Sequence, residues 1–169
     1  MAINIKAIKS RIKSVKNTKK ITRAMEMVSA VKMRKAVEAT LLARDFAVQA
    51  KLLLQRLSSL EESESIFLET RKVSNVLIVV VSSNRGLCGS FNSNVIKKAT
   101  SLVSEIKAKH KKIKIDVLSV GKKGTSFAKK NNLDLISVYD ELKEKPSYSD
   151  VLPIAKQTIN GFKEGTYDE

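Results

Sequence analysis

Apolar residues in the first third of the chain fall at helical steps. Ile5, Ile8, Ile12 and Val15 are separated by three, four and three positions. Ala39, Leu42 and Phe46 repeat the rhythm, and Leu53, Leu57 and Leu60 continue it. The first glycine is Gly86 and the first proline Pro146, while Ala, Lys, Met, Leu and Arg abound before them. The spacing therefore predicts one helix from about residue 3 to residue 57, carrying a narrow apolar seam. At about 1.5 Å per residue it would be roughly 80 Å long, against about 30 Å for a small domain. Such a seam needs a partner helix of similar length, and the rest of the sequence contains none. Between residues 21 and 31, "ITRAMEMVSAV" is apolar on more than one face. This predicts an enclosed stretch, with Met25 and Met27 suited to an irregular or moving surface.

"SSLEESES" (58–65) breaks the pattern, which divides the chain into a long helix (1–60) and a second domain (66–169). In the second part the period alternates. "VSNVLIVVV" (73–81) reads as a strand buried on both faces, and residues from Ser93 to about Lys109 as a helix with Val95, Ile96, Ala99, Leu102, Val103 and Ile106 inward. Residues 112–120 and 133–139 read as strands around a short helix at 122–131, followed by a loop. Ser149 is the expected cap of a last helix running to about Phe162. Strands alternating with helices imply a small parallel-sheet, Rossmann-like three-layer α/β domain. "GTYDE" falls where a fourth strand is due, so the pattern is expected to be incomplete at its C-terminal side.

Composition sharpens this picture. The net charge is +15, and residues 1–60 hold fourteen basic residues against Glu26, Glu38 and Asp45. Lysines at 6, 9, 13, 16 and 20 follow the seam one position behind it, so a positive band runs beside an apolar one. The partner of this segment should be acidic. Nucleic acid is the alternative: a basic helical nucleic-acid-binding protein with an α/β domain. Against it, Phe46 is the one aromatic in residues 1–60, and a DNA-reading basic helix is polar on its free faces. No stretch reaches the ~18 apolar residues of a membrane span. The acid-free N-terminus has no small-residue cleavage site and is expected to belong to the mature protein.

Candidate chemistry centres on "SSNRGLCGSFNSN" (82–94), a strand-to-helix loop. A phosphate cradle needs glycines and amides at a helix start. Gly86 and Gly89 supply only G-x-x-G, without the further glycine or the Gly-Lys-Ser/Thr of the nucleotide motifs, and Gly121 and Gly124 repeat it. A turn or contact loop is the expectation, with no nucleotide, cofactor or metal bound. Cys88 has no neighbouring histidine, since the single one is His110 at the far end of the next helix, so a partly buried, unreactive thiol is expected. Asp134, Asp140, Glu141 and Glu144 are expected to sit near one surface loop.

"IKSRIKSVKNTKKITRAMEMVSAVKMRKA" (8–36) resembles the N-terminal helix of the gamma subunit of F-type ATP synthase, and "SSNRGLCGSFNSNV" (82–95) resembles the strand–loop–helix segment of that family. Asn84, Ser90 and Val31 depart mildly from the residues usual there. The resemblance implies a non-catalytic rotor, the central stalk of the complex. Its N-terminal helix pairs with a C-terminal helix inside a ring of alpha and beta subunits. Its α/β domain stands near the epsilon subunit and the c-ring. It couples proton-driven rotation to ATP synthesis on the beta subunits. The implied partner contacts are Lys16, Lys19, Lys20, Arg23, Met25, Glu26 and Val28 on the helix. The implied stalk loop is Asn84, Arg85, Gly86, Leu87, Cys88 and Gly89. The implied place is peripheral, on the cytoplasmic face of a bacterial inner membrane, with the mitochondrial inner membrane as the less favoured setting.

Overall fold

The computed structural model describes residues 5–59, 65–110, 112–143 and 145–169. They form two units, divided between residues 62 and 63. The first is one helix, α1 (Ile5–Ser58), of 54 residues. No glycine or proline interrupts it, and hydroxyls that would otherwise compete with the backbone bond back into it. Thr18 Oγ1 donates to the Ser14 carbonyl (3.1 Å) and Thr22 Oγ1 to that of Thr18 (2.9 Å). No residue of α1 is buried. Leu60, expected to continue the seam, and most of the expected boundary segment lie outside the described residues.

The second unit is α/β. After a 3-10 turn (Ile66–Leu68) come β1 (Asn75–Val81), α2 (Phe91–Lys109), β2 (Lys114–Val120), α3 (Lys122–Lys130), β3 (Asp134–Tyr139) and α4 (Tyr148–Lys163). The strands lie in the order β1-β2-β3. β1 runs parallel to β2 from Asn75↔Lys114 to Val81↔Val120, and β3 joins parallel with an irregularity between Val117 and Leu118. One face of the sheet, through Val76, Ile78, Val80, Ile115 and Val117, packs on Ala99 and Val103 of α2 and Phe127 and Ala128 of α3. On the other, Gln157 of α4 donates to Ser137 Oγ (2.7 Å) and accepts from the Tyr139 hydroxyl (3.0 Å). Three layers result, as the alternating pattern implies.

Several local expectations change. β1 is not buried on both faces: Val76, Ile78 and Val80 are buried, but Val79 is 42 % and Val81 61 % exposed. The Gln157 contacts hold α4 to β3 at the far edge of the sheet, and the odd-numbered residues of β1 face the side on which α4 lies. α2 starts at Phe91, two residues before Ser93, and Leu102 is exposed. The cap of α4 is Ser147 and not Ser149. The Asp150 carboxylate accepts the Ser147 backbone N–H (2.8 Å) and hydroxyl (2.6 Å), which fixes the first turn two residues earlier. Asp134 and Asp140 flank opposite ends of β3 and do not form one cluster, and Glu144 lies outside the described residues.

The last residues return to β1. Gly165, at φ 71°, ends α4, and Tyr167 is buried against Gly161, where a Cβ would strike its ring. The Asp168 carboxylate accepts the backbone N–H groups of Ser74 (2.8 Å) and Asn75 (2.9 Å). Its own N–H donates to the Asn75 carbonyl (2.9 Å), and the Leu77 N–H donates to the Glu169 carbonyl (2.8 Å). The backbone N–H groups of Asn75 and Ser74 hold the Asp168 carboxyl below its usual range, and the Ser147 hydroxyl and N–H do the same for Asp150. A folded-state pKa below the unfolded value gives stability that is complete above about pH 3.9 and is lost as pH falls through the folded value. Urea midpoints recorded against pH should therefore fall on acidification, and the fall should be shallower in Asp168→Asn. An identical slope in that variant would show that the two backbone bonds do not favour the charged carboxylate.

Candidate functional site

The helix carries the first group of candidate residues. Lys16, Lys19, Lys20, Arg23, Met25, Glu26 and Val28 are all exposed. At about 100° per residue, the four cations share an arc of about 100°, while Met25 and Val28 fall on the opposite side. One segment thus offers two unlike faces. The seam line set by Ile5, Ile8, Ile12 and Val15 continues, by steps of four and three, through Lys19, Thr22 and Glu26. The apolar line becomes polar there, as Met25 and Val28 turn apolar on another side. An enclosing partner would therefore meet charge on one flank and methyl and thioether groups on the other.

The loop after β1 carries the second group. Asn84, Arg85, Gly86, Leu87 and Gly89 are exposed, and Cys88 is half-buried. Its stem is bonded to the neighbouring loops of the sheet. Asn84 Oδ1 accepts the Lys122 N–H (3.0 Å), and its amide donates to the Asp140 carbonyl (2.6 Å). The Lys123 N–H donates to the Ser83 carbonyl (3.4 Å) and the Gly124 N–H to Ser82 Oγ (2.7 Å). The first three amides of α3 are thereby capped by residues 82–84, between 38 and 42 positions earlier in the sequence. Asn92, in the first turn of α2, accepts the Ser83 N–H (3.1 Å) and donates to Ser83 Oγ (2.8 Å) and Cys88 Sγ (3.0 Å). Sequence reasoning passed over Ser82 and Asn92. Their partners are distant or depend on the loop's path, so no spacing signals them.

This geometry bears on phosphate binding. The α3 N-terminus has the expected place for an anion, beyond the carboxyl ends of parallel strands, but its amides are already used. Gly121 and Gly124 serve packing: a Cβ on Gly124 would lie 2.7 Å from Ser119 Oγ and 3.0 Å from a Val80 methyl. At Gly86 and Gly89 nothing of the protein lies within 4 Å of a Cβ, so these two glycines are not required by packing. Calorimetric titration with ATP or NAD is expected to give no specific heat at micromolar nucleotide. Saturable binding at that level would return the loop to the class of nucleotide sites.

The helix residues and the loop residues belong to separate units. The Cys88 thiol is held by the Asn92 amide, and His110 ends α2 with its N–H on the Ile106 carbonyl (3.1 Å). No helix among the described residues is long and apolar enough to cross a membrane. No group of His, Cys, Asp and Glu among them is arranged to hold a metal.

Comparison with known proteins covers nearly the whole chain. The family model for ATP synthase matches residues 4–169. The ATP synthase gamma chain of Geobacter metallireducens is 40 % identical over 167 residues, which are 98 % of this chain and 57 % of that one. That of Campylobacter concisus is 37 % identical, over 98 % of this chain and 58 % of its own. The chain thus spans a little over half the length of these relatives. Among solved structures, the rotor of the Euglena gracilis mitochondrial ATP synthase matches with a TM-score of 0.57 at 18 % identity, covering 91 % of this chain and 53 % of that one. At that identity the likeness speaks for the fold, and it agrees with the long helix followed by a parallel α/β sheet. On the family model and on identities near 40 % across both the helix and the loop, this chain belongs to the ATP synthase family, among its gamma chains.

Proposed function

We propose that the chain is the N-terminal part of a non-catalytic rotor, the central stalk of an F-type ATP synthase. In this role it couples ion-driven rotation of a c-ring to ATP synthesis on beta subunits. The observation that carries this reading is α1: a 54-residue helix in which no residue is buried, continuous through a match to gamma chains. A seam of this length left in water has no function within its own chain, whereas a shaft enclosed by a ring and paired with a second helix uses every face. Lys16, Lys19, Lys20 and Arg23 would meet acidic groups of the beta subunits. Met25 and Val28 would run in an apolar bearing of the enclosing ring, with Glu26 between the two surfaces. The α/β domain (66–169) would form the foot, its loop from Asn84 to Gly89 facing the stalk side near the epsilon subunit and the c-ring. The protein would be peripheral, held through the complex at the cytoplasmic face of a bacterial inner membrane.

Reconstitution with alpha and beta subunits tests the assignment. Scrambling residues 21–31 with composition retained should abolish assembly. Charge reversal at Lys16, Lys20 and Arg23 should weaken it in a salt-dependent way, as exposed charges are screened within about 10 Å at 0.1 M salt. If the scrambled helix assembles normally while charge reversal abolishes assembly, the bearing does not lie where it is placed here.

A further inference from the structure

Two stretches far apart in the sequence meet at the end of α4. Arg71, shortly before β1, donates through Nη1 to the Phe162 carbonyl (2.6 Å), and its guanidinium lies 4.4 Å from the centre of the Phe162 ring. Glu69 accepts from Nε and Nη2 of the same guanidinium (both 3.2 Å), which fixes its plane. Phe67 stacks on Phe162 at 5.8 Å, and the Lys163 ammonium lies over the Phe67 ring. The Gly165 N–H uses the Phe162 carbonyl as well (3.2 Å). One oxygen thus serves both the stretch entering the α/β unit and the tail that follows α4. From there the tail bonds to the start of β1: the Thr166 carbonyl accepts from the Asn75 side-chain amide (3.3 Å), and the Asp168 carboxylate from the Ser74 and Asn75 N–H groups. Little burial secures these contacts. Ile66, Phe67 and Leu68 are exposed, and Tyr167 is the one buried residue of 165–169. Nor is the closed arrangement free of cost. Asp116 on β2 is 4 % exposed, and its Oδ1 has no partner among the described residues, while Oδ2 accepts from Lys114 (3.0 Å). Burial, and then the charge of Asp116, push the Tyr167 hydroxyl above its usual pKa, so the two side chains lie near each other. Lifting Tyr167 would bring water toward that carboxylate, which offsets part of what opening loses.

We propose that residues 65–75 and 165–169 form a clasp, pinned by Arg71 at the Phe162 carbonyl, that opens and closes as one unit while the rest of the sheet stays folded. Because the two stretches share one pin, a partner that holds or releases the tail changes the entering stretch, and the converse holds by the same factor. The coupling runs through polar contacts at the end of α4 and does not pass through the buried strands. The clasp lies within the α/β unit and stands whether or not the stalk reading does.

Amide hydrogen exchange on the full chain, read residue by residue, tests the clasp. Three N–H groups report on it: Leu68 on the Ser65 carbonyl (2.9 Å), Asp168 on the Asn75 carbonyl (2.9 Å) and Leu77 on the Glu169 carbonyl (2.8 Å). In the parent chain their opening constants should agree within about threefold, and exceed those of Val117 and Leu118 in the central strand by about a hundredfold or more. Arg71→Met keeps the stem and removes the guanidinium. It should raise all three constants by about tenfold or more, the effect of losing hydrogen bonds from a charged group, although Arg71 touches neither Asp168 N–H nor Leu77 N–H. Asp168→Ala should raise the Leu68 constant in turn. An Arg71→Met chain that opens faster at Leu68 alone would show two independent fastenings. An equal rise at Val117 and Leu118 would make Arg71 a support of the whole unit, and no rise anywhere would remove it as the pin. Each of these results overturns the clasp. Should Arg71→Met fail to fold, the parent chain decides by itself, since unequal constants at the three amides overturn the proposal and equal ones uphold it.

Discussion

Gly121→Ala is expected to destabilise the α/β unit by about 3 kcal/mol or more, a large share of the ~5–15 kcal/mol that holds a domain together. Two effects coincide at this residue. Its φ of 95° is a conformation that an L side chain rarely adopts, and an added Cβ would be driven into the carbonyl oxygen of Ser82. That oxygen belongs to backbone and cannot swing away. The Ser82 N–H makes the rung to Val120 (2.8 Å), and its hydroxyl caps the Gly124 amide (2.7 Å). Moving Ser82 therefore loosens the end of the β1–β2 pairing and uncaps α3 together. Gly86→Ala is the control, since nothing lies within 4 Å of a Cβ there, and it should shift stability by no more than about 0.5 kcal/mol. Urea midpoints of the two variants would decide the matter. Equal effects would mean that the Gly121 turn relaxes at no cost.

The second large effect concerns α1. Leu42 is 83 % and Phe46 79 % exposed, and Leu53 and Leu57 stand in the same line. Burying a large apolar side chain is worth about 1.5–3 kcal/mol, so several left wet along one seam favour any surface that covers them. The 169-residue chain by itself should associate through residues 1–57, or fray there while the α/β unit keeps its structure. Sedimentation and circular dichroism distinguish these outcomes. Because the lysine band repels itself, association should strengthen as salt is added, the reverse of binding to a polyanion. A peptide carrying the C-terminal shaft helix implied by the gamma-chain resemblance should compete with self-association and raise helicity. A fully helical monomer indifferent to that peptide would contradict the shaft assignment.

The long helix and the order of strands and helices were legible because both are written locally. An unbroken run without Gly or Pro and a shift from 3.6-residue to two-residue periodicity need no knowledge of the rest of the fold. The misreadings fall where the answer is not local. In "VLIVVV" every position is apolar, so nothing distinguishes the faces, and exposure at Val79 and Val81 depends on where α4 lies. Ser149 is a capping residue by type, but the Asp150 carboxylate reaches back to Ser147, and the choice between two nearby serines is settled by that reciprocal contact. Tyr167 stands in a polar-looking tail, and its burial follows from Gly161, six residues earlier, which leaves room for the ring. At the loop, the motif test rejected a nucleotide fingerprint from spacing alone. The reason the neighbouring helix start is closed to phosphate lies in Ser82, Ser83 and Asn84, roughly forty residues upstream of the amides they cap.

The return of Asp168 and Glu169 to β1 has a mechanical meaning. Residue 168 lies beside Asn75 and residue 169 beside Leu77, so the two segments run in the same direction. Tension applied before Ser74 and after Glu169 would pull these parallel neighbours past each other lengthwise. The Asp168 bonds to Ser74 and Asn75 and the rung to Leu77 would then be stretched together, in shear, and would not open one after another like a zip. Arg71 adds to the fastening, with its guanidinium on the Phe162 carbonyl (2.6 Å) and over the Phe162 ring. A unit clamped in this way yields at higher force than its modest sheet of three strands would imply.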